Sequence, residues 1–148
     1  MNVNQVPVYV VIPTYNEAQS IPVLLKEILE LGIKNINILI VDDNSPDGTA
    51  KVARCYARNN ELSVSILSRP TKKGLGSAYV EGFKEVLLGL SEEEVFVVQM
   101  DADLSHNPSY LPGMIELLAR NDVVVGSRYC QEGGSDEKWS VYRKGLSA

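Results

Sequence analysis

Two aspartates separated by a single alanine, Asp101 and Asp103, follow an apolar run at residues 96–100. In extended backbone, residues two apart point to the same side with Cα atoms about 6.5 Å apart, so a bend after the run could aim both carboxylates at one target. Two carboxylates that close repel each other unless a cation lies between them. The spacing therefore indicates a cation site, although a solvated turn explains the same three residues when they are taken alone.

The apolar run before the aspartates is one of five short runs rich in β-forming residues, at 8–12, 36–41, 63–67, 95–100 and 122–127. Most of them lack polar alternation, which is typical of strands covered on both faces. Helical patterns lie between them. The first has Ser20 as its N-cap, Pro22 in its first turn, and apolar residues at 21, 24, 25, 28 and 29. Similar patterns cover 49–59, 75–89 and 108–119.

This alternation of strands and helices predicts an α/β domain with a mostly parallel sheet, right-handed crossovers and helices on both faces. Ligands of such sheets bind beyond the carboxyl ends of the strands. Polar loops follow all five predicted strands, at 13–17, 42–49, 69–76, 101–106 and 126–129. Each loop alone is also good turn chemistry. Because the five loops share one edge of the sheet, together they favour a functional site there.

Composition narrows the setting of the protein. A chain of 148 residues fits one domain that buries a core without disulfides or structural metal. Its formal net charge of −5 argues against nucleic acid as the main partner. Cys55 and Cys130 stand in unlike contexts and are expected to be free thiols of a cytoplasmic protein. The apolar runs are strand-sized, so we expect no membrane-spanning segment in this chain.

The chain resembles family 2 glycosyltransferases with the GT-A fold, and most of all the dolichol-phosphate (polyprenol-phosphate) mannosyltransferases. Six ordered segments carry the resemblance: VVIPTYNEAQSI, ILIVDDNSPDGT, KKGLGSAYVEGF, VVQMDADLSHNP, VVVGSRY and KWSVYRKGLS. The resemblance extends from Val8 to Ser147 and implies one Rossmann-like catalytic domain over residues 1–148. Enzymes of this type continue past the last motif, so we expect the acceptor side of the domain to be truncated here.

The resemblance implies that Asp101, Asp103 and Ser105 hold Mg²⁺ or Mn²⁺, which would bridge the diphosphate of a nucleotide sugar. Hard cations of this kind take one or two carboxylates plus phosphate oxygens. A single histidine without fixed partners is weak evidence for a ligand. We therefore interpret His106 as a packing residue or as part of the start of the next helix.

By the same resemblance, the nucleotide is bound by six residues: Pro13, Tyr15, Glu17, Val41, Asp43 and Asp101. Asp42 is interpreted as a support for its loop. A carboxylate accepts a hydrogen bond from guanine or uracil alike, so the base stays open between guanosine and uridine. Lys72 and Lys73 belong to a glycine-rich loop, KKGLG, near the expected path of the phosphates, but they precede the glycines, unlike the lysine of a Walker motif. The alternative is a plain basic turn, which we favour for Lys72.

The resemblance assigns catalysis to Asp103, Arg128 and Arg143, the two arginines as bidentate contacts to phosphate. Relatives that glycosylate a hydroxyl usually carry a catalytic base in a Glu-Asp motif and, in processive synthases, Gln-x-x-Arg-Trp, and this sequence has neither. A lipid phosphate needs no such base, because a phosphomonoester is largely ionised near neutral pH. We therefore expect a metal-dependent, inverting transfer of mannose from GDP-mannose to a polyprenyl or dolichyl phosphate.

Other interpretations stay open at this point. The donor could be a UDP-sugar, and the chain could be a nucleotide-sugar-binding fragment without turnover of its own. A dinucleotide-dependent oxidoreductase is less favoured, because the first strand leads into PTYNE instead of Gly-x-Gly-x-x-Gly. The lipid acceptor implies a peripheral position at the cytoplasmic face of a membrane, and a separate membrane subunit is left open as a partner.

Overall fold

The computed structural model describes residues 5–90 and 94–127. Strands and helices alternate along them in the order β1 (Val8–Thr14), α1 (Ile21–Glu30), β2 (Ile36–Asp42), α2 (Thr49–Asn59), β3 (Val64–Ser68), α3 (Leu75–Leu88), β4 (Phe96–Gln99), a 3₁₀ turn (Pro108–Tyr110) and α4 (Leu111–Leu118). The first four predicted strands and the four predicted helices are confirmed, with small shifts at their ends.

Strand β1 lies at the centre of the sheet that these residues form. It pairs in parallel with β2 over its whole length, from Val8 opposite Ile36 to Thr14 opposite Asp42, and with β4 along its other edge. The strand order is β3-β2-β1-β4 and every pairing is parallel, which confirms the predicted sheet. The order reverses between β1 and β4. Such a switch point leaves a crevice beyond the carboxyl ends of the two strands.

Helices cover both faces of the sheet, as its apolar strands require. Val8, Val10 and Ile12 point to one face, where they form a core with buried residues of α1, α2 and α4. Val11 points to the other face and packs against buried residues of α3, including Tyr79. Alternate residues of a strand point to opposite sides. β1 must therefore be apolar at most positions, and its polar neighbours stand at or beyond its end.

The last helix begins later than the sequence pattern predicts. Pro108–Tyr110 forms a 3₁₀ turn, and the α-helix begins at Leu111. Asn107 caps this turn, because its side chain accepts a hydrogen bond from the Ser109 N–H at 2.9 Å. Pro112 has no N–H to donate to the preceding turn, so the tighter turn comes before the α-helix.

The prediction of a fifth strand at 122–127 is wrong, because this segment forms no strand. Val123 and Val125 are 75% and 77% exposed. Packing against neighbouring side chains stabilises a strand as much as its backbone ladder does. No described element covers these two valines, so their β propensity alone does not make a strand.

Two other sequence expectations concern thiols and the membrane. Cys55 is an exposed free thiol, as expected, and Cys130 lies outside the described residues. No helix within 5–90 and 94–127 is both long enough and apolar enough to cross a bilayer.

Helix α3 packs against the sheet at a glycine. A Cβ added to Gly82 would lie 2.5 Å from Val11 Cγ1 and 3.0 Å from Val41 Cγ2. Valine side chains move little because branching at Cβ restricts χ1. Gly82 therefore sets how closely α3 approaches β1 and β2.

We expect Gly82→Ala to destabilise the fold by about 1 to 3 kcal/mol, because the added methyl group overpacks a full core. Urea unfolding followed by circular dichroism would report a lower midpoint at an unchanged slope. Gly76→Ala in the same helix is the control, since nothing lies within 4 Å of its added Cβ and alanine favours a helix by up to about 1 kcal/mol. Equal midpoints for the two variants would contradict the close packing at Gly82.

Candidate functional site

The loops at the carboxyl edge of the sheet surround a cleft of about 280 Å³. The cleft lies where the strand order reverses between β1 and β4. Six of the predicted site residues line it: Pro13, Tyr15, Glu17, Asp43, Asp101 and Asp103. Five residues not predicted there complete the lining: Thr14, Lys72, Leu75, Ala78 and Ala102. The loops after β1, β2 and β4 and the segment before α3 thus meet at one place.

Four predicted site residues are not among those that line the cleft. The side chain of Val41 is fully buried beneath α3. Ser105 is exposed beside the cleft, and its backbone N–H donates to Asp103 Oδ1 at 3.0 Å. Arg128 and Arg143 lie outside the described residues.

A wider depression of about 480 Å³ lies between α1 and α2. It is lined by residues such as Pro22, Lys51 and Cys55, and none of the predicted site residues contributes to it. Its acidic residue, Asp47, already accepts hydrogen bonds from Thr49. The smaller cleft is the better candidate, because it stands at the carboxyl ends of the strands where α/β sheets bind ligands.

Asp101 is held in place from two sides. Its Oδ1 accepts a hydrogen bond from the Tyr79 hydroxyl at 2.6 Å. The pKa of Tyr79 lies far above its ordinary value, mainly because the hydroxyl is buried, and also because it donates to Asp101 and lies near the charges of Asp101 and Asp103. The phenol therefore stays protonated and remains a donor. His106 accepts from the Asp101 N–H through Nδ1 at 3.1 Å and thereby closes the loop. His106 thereby stabilises the loop through a hydrogen bond, while its side chain is 51% exposed and is not packed in the core.

Asp103 is suited to hold positive charge. Burial raises the pKa of its carboxyl, but hydrogen bonds from Ser105 and the proximity of His106 outweigh that effect and leave the pKa below its ordinary value. Asp103 is therefore ionised at neutral pH. Within 5–90 and 94–127, no three acidic, histidine or cysteine side chains converge as a metal site. The two aspartates fit a hard divalent cation that takes its other ligands from phosphate.

Three residues in the loops around the cleft have a left-handed backbone: Asn16 at φ 62°, Asn44 at φ 56° and Leu104 at φ 63°. Asparagine tolerates this conformation better than most residues, whereas a leucine there is unusual. Backbone strain of this kind is concentrated at functional sites, where the surrounding structure holds it. Leu104 directly follows Asp103, so the strained turn helps to aim this carboxylate.

The loop after β1 is fastened to the loop after β2. Four backbone or hydroxyl donors of residues 14–18 bond to side chains of residues 42–49, at distances of 2.8 to 3.1 Å. Asp42 also accepts from the Ser45 N–H and hydroxyl, at 3.0 and 2.6 Å. Asp42 is 3% exposed. It therefore supports its loop, as the sequence indicated.

A buried arginine that was not predicted as a site residue, Arg69, lies behind Asp43. Both carboxylate oxygens of Asp43 accept from Arg69, one from Nε and the other from Nη2 at 2.8 Å. Arg69 Nη1 also donates to Ser77 Oγ at 2.9 Å and to Glu81 Oε1 at 3.3 Å. The hydrogen bond with Asp43 raises the pKa of Arg69 above its already high ordinary value. Arg69 thus ties the loop after β2 to the start of α3.

The sequence did contain a signal for this pair. Arg69 directly follows β3, and Asp43 directly follows β2, at the same edge of the sheet. A charged residue that is buried needs a partner. The parallel register places Asp42 opposite Ser68, so Asp43 and Arg69 come next to each other. Only the strand order makes β2 and β3 neighbours, which is why the pairing could not be deduced from either loop alone.

Lys72 extends into the cleft. Its Nζ lies over the ring of Tyr15, 4.0 Å from the centroid. This placement differs from the plain basic turn that the sequence favoured for Lys72. Lys73, in contrast, points to Glu81, with Nζ and Oε1 3.9 Å apart.

Several curated proteins are similar to this chain. It is 41% identical over 140 residues to the undecaprenyl-phosphate mannosyltransferase of Micrococcus luteus, covering 95% of the chain and 55% of that protein. It is 41% identical over 143 residues to the dolichol-phosphate mannosyltransferase of Pyrococcus furiosus, covering 95% of the chain and 38% of that protein. The polyprenol monophosphomannose synthase of Mycolicibacterium smegmatis is 38% identical over 139 residues. The chain spans about half the length of these relatives or less.

Solved structures share the fold. The mannosyltransferase PcManGT from Pyrobaculum calidifontis, solved in complex with GDP-Man and Mn²⁺, superposes with a TM-score of 0.67 at 26% identity, over 84% of this chain and 37% of that one. Glucosyl-3-phosphoglycerate synthase from Mycobacterium tuberculosis superposes with a TM-score of 0.58 at 21% identity, over 80% of this chain and 40% of that one, and supports the fold alone. The predicted GT-A fold is confirmed.

The sequence model described as Glycosyl transferase family 2 matches residues 9–147, nearly the whole chain. This match covers all six of the motif segments. The acidic pair beyond β4, the cleft at the switch point and the similarity to the curated relatives agree with it. The chain belongs to glycosyl transferase family 2.

Proposed function

We propose that this chain is the nucleotide-sugar-binding part of a metal-dependent, inverting mannosyltransferase, which transfers mannose from GDP-mannose to a polyprenyl or dolichyl phosphate. The observation that carries the proposal is the meeting of Asp101 and Asp103 with Tyr15, Glu17 and Asp43 in one cleft. The names of the three relatives support mannose as the sugar and a polyprenyl-type phosphate as the acceptor. Their greater length makes the activity of the whole protein part of the proposal.

Asp101 and Asp103 are the residues that would hold Mg²⁺ or Mn²⁺, with the Ser105 hydroxyl close enough in sequence to take part directly or through water. A divalent ion bound there supplies charge neutralisation for the diphosphate leaving group. The Tyr79 hydroxyl and the Ser105 N–H keep the two carboxylates oriented toward the cleft before any ligand arrives. This preorganisation lowers the cost of collecting like charges at one point.

The nucleoside would lie along the loops after β1 and β2, against Pro13, Tyr15 and Glu17. Asp43 is the acceptor for an N–H of the base, and its carboxylate is kept in one orientation by Arg69. A carboxylate with both oxygens on one guanidinium still has lone pairs for another donor. The complex of PcManGT with GDP-Man favours guanosine as the base.

The acceptor phosphate would meet Arg128 and Arg143, whose planar guanidinium groups suit two phosphate oxygens at once. An ionised phosphate attacks the sugar carbon without help from a protein base. The polyprenyl chain of such an acceptor lies in a bilayer. We therefore place the protein at the cytoplasmic face of a membrane as a peripheral protein, with or without a separate membrane subunit.

Calorimetry with GDP-mannose, UDP-glucose and NAD, each with Mn²⁺, tests the donor, and transfer of labelled mannose to polyprenyl phosphate by the complete protein tests the reaction. We expect the tightest binding with GDP-mannose and a labelled lipid product. Preference for UDP-glucose would change the donor but keep the reaction class. Binding of NAD alone, or of none of the three, would contradict the proposed function.

We expect Asp103→Asn to abolish the increase in nucleotide affinity that Mn²⁺ produces, because the amide removes one of two anionic ligands. Titration of GDP with and without Mn²⁺ should show at least about a ten-fold loss of the metal-dependent affinity. The melting temperature should stay unchanged, because Asp103 lies on a loop. Asp122→Asn, at an exposed position outside the cleft, is the control for loss of one negative charge. A variant Asp103→Asn with full Mn²⁺ dependence would rule out the metal role.

We expect Arg143→Lys to lower turnover of the complete protein by about ten-fold or more, because the charge is kept but bidentate contact with phosphate is lost. Donor affinity should change less than turnover. Steady-state kinetics with polyprenyl phosphate measures both, and Lys144→Arg is the control for a charge-preserving change at the next position. Unchanged turnover, or efficient transfer to a neutral polyprenyl alcohol, would count against the role of Arg143.

A further inference from the structure

The side chain of Lys72 occupies the cleft without a charged partner. Its Nζ lies 4.0 Å from the centroid of the Tyr15 ring. None of the ion pairs within 5–90 and 94–127 includes Lys72. The neighbouring Lys73 pairs with Glu81 and does not line the cleft. Two adjacent lysines therefore have different environments, and only Lys72 is available to a ligand in the cleft.

The backbone that carries Lys72 is fixed at both ends by one buried residue. The Arg69 N–H donates to the Asp42 carbonyl at 2.8 Å, and its guanidinium donates to the Gly74 carbonyl at 3.4 Å. Gly74 has φ 93° and ψ 157°, a conformation that is essentially restricted to glycine. The segment between these anchors is short, so Lys72 stays beside the cleft while its flexible side chain can still move.

The charged groups around the cleft would balance only part of the negative charge of a donor diphosphate. Four carboxylates line the cleft, those of Glu17, Asp43, Asp101 and Asp103. Arg69 neutralises Asp43 from behind, and a divalent cation would be balanced by Asp101 and Asp103. The diphosphate of a nucleotide sugar is dianionic and needs a further positive group. Among the described residues that line the cleft, Lys72 is the one cation.

We propose that Lys72 binds the diphosphate of the nucleotide donor, and that its ammonium group leaves the Tyr15 ring to do so. This inference rests on the proposed function. A charge-assisted hydrogen bond to phosphate is stronger than the attraction of an ammonium group to a tyrosine ring, so the transfer is favourable. Lys72 is a binding residue for the leaving group in this assignment, and Tyr15 holds it in the cleft until the donor enters.

The test compares Lys72→Met with Lys73→Met, two changes that remove the same charge and keep a long apolar side chain. Calorimetry with Mn²⁺ measures the affinity of each variant for GDP and UDP and for guanosine and uridine, which lack phosphate. We expect Lys72→Met to weaken binding of the preferred nucleoside diphosphate about ten-fold or more, as for loss of a hydrogen bond to a charged group. The affinity of the matching nucleoside should change less than about two-fold by the same reasoning.

The controls separate a phosphate contact from a general effect. Lys73→Met should keep the wild-type affinity for the diphosphate, and Lys72→Arg should restore most of it. Equal losses for Lys72→Met and Lys73→Met would overturn the inference, as would an equal loss of nucleoside affinity in Lys72→Met. If wild-type protein binds GDP or UDP and Lys72→Met binds it as well, the role of Lys72 is wrong while the proposed function stands. If wild-type protein binds neither, both are overturned.

Discussion

Strand β1 is hydrogen-bonded along both edges and covered on both faces, and the position of the candidate site follows from that burial. Its side chains face α1 on one side and α3 on the other, and from Val10 to Ile12 they are fully buried, so a polar group there would have no water and no partner. The first hydrogen-bonding side chain is that of Thr14, at the last residue of the strand. β2 likewise ends at a buried polar residue, Asp42. Its other polar residue, Asn37, lies near the start of the strand, where its side chain accepts from the Ser63 hydroxyl at 2.9 Å. The chemistry is thereby confined to the carboxyl edge, where the reversal of strand order opens a cleft.

The buried pair of Arg69 and Asp43 fixes the positions of the loops at this edge of the sheet. Both side chains are nearly excluded from solvent, at 1% and 7% exposure, so neither could lose its partner without leaving an unpaired buried charge. Arg69 also reaches the start of α3 through Ser77 and Gly74. One guanidinium group therefore orients a carboxylate that faces the proposed base and anchors the segment that carries Lys72. Hydrogen bonds between the loops after β1 and β2 hold the opposite wall in the same way.

An acidic protein with an acidic cleft must still bind an anionic donor in the function proposed here. Each charged group of the cleft reduces the repulsion between the acidic residues and the donor in a different way. Asp43 is paired with Arg69, Asp101 and Asp103 fit a divalent cation, and Lys72 lines the same cleft with its ammonium group over the Tyr15 ring. Such preorganised charges act more strongly in a partly buried cleft than in water, because the effective dielectric constant is lower. The relatives named as mannosyltransferases match 95% of the chain.

Local periodicity and motifs a few residues long were enough to predict the first four strands, the approximate positions of the helices, the parallel sheet and the acidic pair. Tertiary structure decided which side chains reach the cleft. Val41 lies within β2 and Asp43 one residue beyond its end, and α3, which approaches closely at Gly82, covers Val41 and leaves Asp43 at the cleft. Arg69 meets Asp43 only because β3 pairs with β2, and residues 122–127 lack the covering that a strand needs. Each of these outcomes depends on contacts between residues distant in sequence, which local pattern does not encode.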